Sequence, residues 1–148
     1  MSRSARLGRL SCCMRTNTAP WPLLAGIVLS HFAVTLLHGA AHGAAQVATT
    51  PAQNWFIALV IVVAPLAALW LARARPELGG WLVASAMAGA LVFGIVNHFV
   101  IPGVDRVDHV AAQWRPLFAA TAFLLVAFEL AGTAAGIWYA AVKTESSP

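Results

Sequence analysis

The apolar segment at residues 20–45, PWPLLAGIVLSHFAVTLLHGAAHGAA, decides the fold of this chain. It contains no Asp, Glu, Lys or Arg, and it exceeds the ~20 apolar residues with which a helix crosses ~30 Å of hydrocarbon. Three further apolar segments follow, at residues 55–72, 80–101 and 117–141. Of the 148 residues, 60% are hydrophobic and only 9% are charged, whereas soluble domains carry about 25% charged residues. The chain is therefore predicted to be an all-α integral membrane protein.

Helices are the predicted structure because backbone polar groups in hydrocarbon must be satisfied within their own segment. The short connections favour an up-down bundle of four transmembrane helices, in which successive helices run antiparallel. We predict a membrane domain over residues 20–142, between a basic tail at 1–19 and a second tail at 143–148. The predicted helices lie at about 20–46, 55–73, 80–101 and 115–141.

Lysine and arginine are distributed unevenly between the connections. The N-terminal tail carries four arginines and the second connection carries Arg73 and Arg75, whereas the first connection, residues 43–54, has no charge. The positive-inside rule then predicts that both termini are cytoplasmic, and we expect the inner (plasma) membrane of a bacterium. Scattered arginines in a tail are a weak signal for nucleic acid. The expected partner is therefore the lipid bilayer, with no nucleic acid.

The N-terminal region supports two alternatives. Met14 is a candidate start, since the residues before it form a basic tail whose Cys12 and Cys13 would be free thiols in a reducing cytoplasm. Alternatively, residues 14–48 fit a secretory signal, with Arg15 before an apolar run and small residues after it. His31 in the middle of that run argues against cleavage, because signal cores rarely carry ionisable residues.

Three histidines of the first segment fall on one face of a helix. His38 and His42 follow His31 by 7 and 11 residues, and these offsets return to within about 20° of the starting direction on an α-helix. His38 and His42 are also four residues apart, the spacing at which two imidazoles chelate one metal ion. Ionisable side chains are costly on a surface that faces lipid, so the stripe of histidines predicts a binding or catalytic site inside the bundle.

The third segment repeats part of this pattern. His98, Asp105 and His109 recur at the same offsets, and each copy begins His-Phe and continues into Ala-Ala-Gln. The match suggests two duplicated helix hairpins, in which His31 would correspond in depth to His98. Pro102 cannot donate to the carbonyl of His98, so we expect the third helix to kink or stop there. Residues 105–113 would then form a short helix or a structured loop.

Two more polar residues are candidate members of a site. Glu129 is the one acid inside a spanning segment, and His31 is its natural partner at similar depth; a neighbouring hydroxyl is the alternative. Asn97 precedes His98 and is expected to orient an imidazole or to hydrogen-bond across helices. Small residues four apart, as in the segments at 39–43 and 132–136, predict either packing within one bundle or a homodimer within the membrane.

Three function classes remain open. The first is a divalent metal centre in the outer half, with zinc or iron as the preferred ion because nitrogen and oxygen ligands dominate. Its expected ligands are His38, His42, His98, Asp105, Asp108 and His109. The second is haem b in an electron-transfer protein, with axial ligands among His31, His42, His98 and His109. The third is a non-catalytic subunit of a membrane complex, whose polar residues only hold helices together. No reaction or substrate follows from the pattern.

Overall fold

A computed structural model describes residues 21–144, which fold as four long helices. By length and composition, all four are capable of crossing a membrane. The described part of the chain contains no strand, and the all-helical prediction is confirmed. The helices are α1 (Trp21–Ala45), α2 (Pro51–Ala74), α3 (Pro76–Val100) and α4 (Arg115–Thr144).

The predicted basic tail, with Cys12, Cys13 and the alternative start at Met14, lies outside the described residues, as do residues 145–148. We call the end of the bundle with the connection at 46–50 and the loop at 101–114 the upper end. The opposite end, where α2 turns into α3 at Arg75, is the lower end.

Two helices begin earlier than the hydrophobic pattern predicts, and each has a proline at its first position. Thr50 Oγ1 accepts from the backbone N–H of Gln53 at 3.2 Å, and Gln53 Oε1 accepts from the backbone N–H of Thr50 at 2.8 Å. With Pro51 at the first helical position, this capping box starts α2 four residues before the predicted Trp55. α3 begins at Pro76, just after Arg75, with a proline at its first position but without a side-chain cap.

A π-helical stretch precedes each of the two prolines inside the apolar segments. One covers Ile57–Val63 ahead of Pro65, and the other covers Val96–Val100 ahead of Pro102. α3 ends there, as predicted, and the carbonyl of His98 accepts instead from the backbone N–H of Val107 at 3.0 Å. The segment beyond α3 is a loop built of turns rather than a short helix.

The helices pack in the cyclic order α1, α2, α3, α4. α3 lies along both α2 and α4, α4 also lies along α1, and the main contact of α1 with α2 is with the lower part, Ala64–Ala74. α3 and α4 approach most closely at glycines, since a Cβ on Gly136 would lie 2.8 Å from the carbonyl oxygen of Gly80. Gly132 packs against Met87 on α3. The small residues of α4 thus serve packing within the chain.

An apolar cluster closes the lower half of the bundle. Val28, Val83 and Met87 are fully buried in it, and the hydroxyl of Tyr139 donates to the carbonyl of Ala72 at 3.3 Å. All four helices contribute to this cluster. The buried histidines of the candidate site lie above it, in the upper half. Its buried members are Leu24, Ala25, Val28, Ala68, Leu69, Ala72, Val83, Met87 and Tyr139.

Candidate metal centre

Three histidines from two helices converge in the upper half of the bundle. His38 and His42 come from successive turns of α1, and His98 comes from the π-helical end of α3. One ring nitrogen from each can be chosen so that all three lie within 4.8 Å of one another. The closest pair is Nε2 of His38 and Nε2 of His98, at 3.2 Å. α1 and α3 do not lie along each other, so the predicted ligands His38, His42 and His98 meet through their side chains across the bundle axis.

The partner of His38 determines which of its nitrogens carries the proton. Its Nδ1 lies 2.7 Å from Oγ1 of Thr121 on α4. The hydroxyl of Thr121 donates to backbone carbonyls of its own helix, at 2.8 Å from that of Leu117. With its one proton on a carbonyl, the hydroxyl accepts from His38, and in this arrangement Nδ1 of His38 is the protonated nitrogen. Nε2 of His38 is therefore left with a lone pair.

The same reasoning applies to His98. Its Nδ1 lies 3.2 Å from the backbone carbonyl of Asp105 and 3.1 Å from the carboxylate oxygen Oδ1 of the same residue. Both oxygens are acceptors when the carboxyl is ionised, so Nδ1 of His98 carries the proton. Nε2 of His98 then has a lone pair and faces Nε2 of His38 at 3.2 Å. Such histidine–carboxylate pairs orient metal-binding imidazoles in many sites.

Asp105 is buried at the upper edge of the cluster. Burial by itself raises the pKa of this carboxyl, but the hydrogen bond from His98 and the positive charge that the neighbouring histidines carry when they are protonated hold the pKa below its ordinary value. Asp105 is thus ionised at neutral pH. Its Oδ1 also lies 3.3 Å from Nε2 of His42, so one carboxylate faces two of the three imidazoles.

His42 completes the group. Its Nδ1 is buried and has no aligned hydrogen-bond partner, and its Nε2 faces Asp105. The ring of Phe118 on α4 packs against all three imidazoles, with centroid distances of 4.7 Å to His38, 4.8 Å to His42 and 5.4 Å to His98. This apolar wall excludes water from one side of the cluster and strengthens electrostatic interactions inside it.

Two predicted ligands lie outside the cluster. His109 is exposed, and its Nδ1 donates to the backbone carbonyl of Gly103 at 2.7 Å. Asp108 is exposed and paired with Arg106, whose hydrogen bonds lower the pKa of Asp108 to about 2. The loop at 101–114 turns both side chains toward the surface while it buries Asp105.

His31 and Asn97 also stand apart from the three histidines. Nε2 of His31 lies 3.4 Å from Oε1 of Glu129, so the predicted contact between these two residues is present. Asn97 bonds across helices, since its Oδ1 accepts from Nε2 of Gln53 at 3.0 Å. The contact of Thr121 with His38 was not predicted. The only signal for it in the sequence is a hydroxyl residue inside the fourth apolar segment.

The register of the helices differs from the one that a duplicated hairpin predicts. Equal spacing would bring His98 to the depth of His31, yet His98 meets His38, which lies seven residues further along α1. α3 also ends at Val100, so no continuous helical stripe joins His98 to Asp105 and His109. Residues that match in the sequence repeat therefore do not lie at equivalent positions in the bundle.

A cavity of about 250 Å³ extends from the cluster into the bundle. Its walls are mostly apolar side chains and small residues, among them Gly39, Ile57, Ile61, Ala90, Phe93, Gly94, Leu125 and Val126. His38, His42, His98 and Asp105 line one end of it, and Glu129 lines it as well. The histidine cluster is thus open to a space large enough for a small molecule.

No protein-family model, curated protein or solved structure matches this chain. The fold and the site define its class by geometry alone. The described chain is all-helical, with four helices long and apolar enough to span a membrane and with a buried three-histidine cluster that can hold a metal ion.

Proposed function

We propose that the protein is an integral membrane protein that binds one divalent metal ion through His38, His42 and His98. One observation carries this proposal: the Nε2 atoms of His38 and His98 lie 3.2 Å apart, with His42 beside them. When both nitrogens have lone pairs they repel each other at that distance, and a cation bound by both relieves the repulsion. Tetrahedral zinc with Zn–N bonds of 2.0–2.1 Å separates two ligand nitrogens by about 3.3 Å, so this spacing suits a shared ion.

The donor set indicates which ions fit. Three neutral imidazoles without a thiolate suit zinc or iron(II), and Asp105 adds negative charge beside them. Three protein ligands and one open position are typical of reactive zinc sites, whereas structural zinc sites are closed by four. Because all three histidines line the cavity, a further ligand would reach an ion held by them from the cavity side. A metal ion there would polarise an oxygen ligand, or a water molecule, bound from that side.

The haem alternative finds less support in the geometry. A porphyrin needs two imidazoles on opposite faces of a flat ring, but the ring centroids of His42 and His98 are 5.7 Å apart and the ring of Phe118 packs against both. The other two histidines of that hypothesis, His31 and His109, are held by Glu129 and by the carbonyl of Gly103. A single ion therefore fits the cluster better than haem b.

Metal content tests the proposal. The full-length chain would be solubilised in detergent, incubated with zinc chloride and dialysed. It should then retain one zinc ion per chain, as measured by inductively coupled plasma mass spectrometry. The reason is that three preoriented imidazoles and a buried carboxylate disfavour release of the ion. Zinc retained at far less than one ion per chain, from folded protein without chelator, would favour the non-catalytic subunit.

Membrane topology gives a second expectation. Four spans place both termini on one side, and the arginine distribution assigns that side to the cytoplasm of a bacterial inner membrane. Fluorescent-protein fusions after Arg75 and after Lys143 should fluoresce, and a fusion after Thr49 should not, because the fluorophore forms poorly outside the cytoplasm. Alkaline phosphatase fused at the same positions should give the opposite pattern. Opposite signals at Arg75 and Lys143 would contradict four spans.

A further inference from the structure

Glu129 gives the cavity a polar group away from the cluster of His38, His42 and His98. The carboxyl is almost fully buried, its Oε1 faces His31, and its Oε2 has no hydrogen-bond partner. A Cβ on Gly94 would lie 3.8 Å from this Oε2, and both residues line the cavity. An unpaired buried oxygen is costly, so a partner supplied from the cavity would stabilise it.

The distance between the two polar ends limits the size of that partner. His31, which holds Glu129, and His38, which belongs to the cluster, are seven residues apart on α1, or about 10.5 Å of helix. A metal–oxygen bond takes up about 2.1 Å of this length and a hydrogen bond to Glu129 takes up about 2.8 Å. About 5.6 Å then remain between the two polar atoms of a molecule that lies along α1 and bridges both ends, which is nearer to the separation of para oxygens on a six-membered ring than to that of meta oxygens.

The walls between the two ends favour an aromatic ring. Phe93 faces the cavity, and its ring stacks on that of Phe56 with centroids 4.8 Å apart. An apolar cavity of about 150 Å³ is known to hold benzene, and this one measures about 250 Å³. Two oxygens at para positions of a six-membered ring have the required separation, and the ring itself would contact the apolar wall.

The cavity also has an opening suited to a molecule dissolved in lipid. Thr35 and Gly39 on α1 and Ile57 and Ile61 on α2 line it, while the main contact between these helices lies further down, at Ala64–Ala74. Gly39 is exposed, so the cavity reaches the side of the bundle there. Thr49 of the connection at 46–50 lines the cavity as well, so the space between α1 and α2 extends from the upper end toward the acyl chains when the bundle is in a membrane.

We propose that this cavity binds a small ring with oxygens at para positions, one oxygen at the metal ion and the other at Glu129. The proposal rests on the metal site described above and adds the class of ligand that completes it. The apolar body of the ring fills the space between the cluster and Glu129, and its hydroxyl supplies the hydrogen bond that Oε2 lacks.

Positional isomers test the proposal directly. Hydroquinone, resorcinol and phenol would be titrated calorimetrically, without oxygen, into the zinc-loaded full-length protein in detergent. Hydroquinone should bind at least about tenfold more tightly than resorcinol or phenol, the effect of one hydrogen bond to a buried carboxyl group. In Glu129→Leu this preference should disappear. Equal affinity for the isomers in the wild-type protein would overturn the proposal.

A pair of glycine variants provides an independent test. A side chain at Gly39 meets no other atom within 4 Å of its Cβ, so Gly39→Leu should fill the cavity without distorting α1. Gly43 is equally free but does not line the cavity, so Gly43→Leu is the matched control. Hydroquinone binding should be lost in the first variant and kept in the second, and retained binding in Gly39→Leu would overturn the proposal.

Zinc content is measured in each of these variants. Loss of ligand preference with one zinc ion still bound supports the cavity proposal. A wild-type protein that holds no zinc would overturn the metal site and, with it, this inference. Zinc-loaded protein that does not distinguish the isomers would overturn this inference alone.

Discussion

Replacing His98 by alanine should weaken zinc binding by about a thousandfold or more. Removal of a group that only orients a ligand typically costs 10–100-fold in metal affinity, and loss of a ligand itself costs more. His98 donates to Asp105 through Nδ1 and faces His38 through Nε2, so the change removes a ligand and an orienting contact together. Competition with a chelator of known zinc affinity would measure the difference.

Two further variants make the result specific. His109→Ala removes a histidine of the loop at 101–114. His109 is exposed and bonded to Gly103, so zinc affinity should be unchanged. Thr121→Val removes only the acceptor for Nδ1 of His38, and it should fall between the other two variants, at about 10–100-fold. Equal affinities in His98→Ala and His109→Ala would contradict the proposed ligand set.

Replacing Gly136 by alanine should destabilise the bundle by about 3 kcal/mol, the upper part of the range for overpacking. The added Cβ would lie 2.8 Å from the backbone nitrogen of Ala84 and 2.8 Å from the carbonyl oxygen of Gly80. Both are backbone atoms of α3, so the clash is relieved only by moving α3 and α4 apart. The midpoint of thermal unfolding in detergent should fall clearly below that of the wild-type protein.

Gly26→Ala is the matched control for this prediction. A Cβ at Gly26 meets no atom within 4 Å, so the same change there should be neutral, or stabilising by up to about 1 kcal/mol through helix propensity. Unfolding midpoints that agree for the two variants would contradict the close packing of α3 on α4. Because α3 carries His98, the Gly136 variant should also weaken zinc binding.

Several properties of the protein could be predicted from local sequence alone. The number of helices follows from segment length and hydropathy, since a spanning helix satisfies its own backbone and needs no distant partner. The stripe of His31, His38 and His42 follows from helical periodicity, which relates residues within one helix. The end of α3 ahead of Pro102 is also local, because it depends on one missing backbone donor.

The membership of the candidate site was decided by tertiary structure. Periodicity does not determine how far one helix slides or rotates against another, so the repeated pattern paired His98 with His31, whereas packing brings it to His38. Close contact at Gly136 determines the height of α3 against α4, and the π-helical end of α3 changes the direction of His98.

The loop at 101–114 decided the remaining members. Val107 and Val110 pack over Ala41 and Phe118, and this apolar contact buries Asp105 beside the histidines while Asp108 and His109 stay exposed. Sequence spacing treated these residues alike, because it records distance along the chain. Which of them reaches the site depends on how the loop buries its valines, and that is determined only when all four helices have assembled.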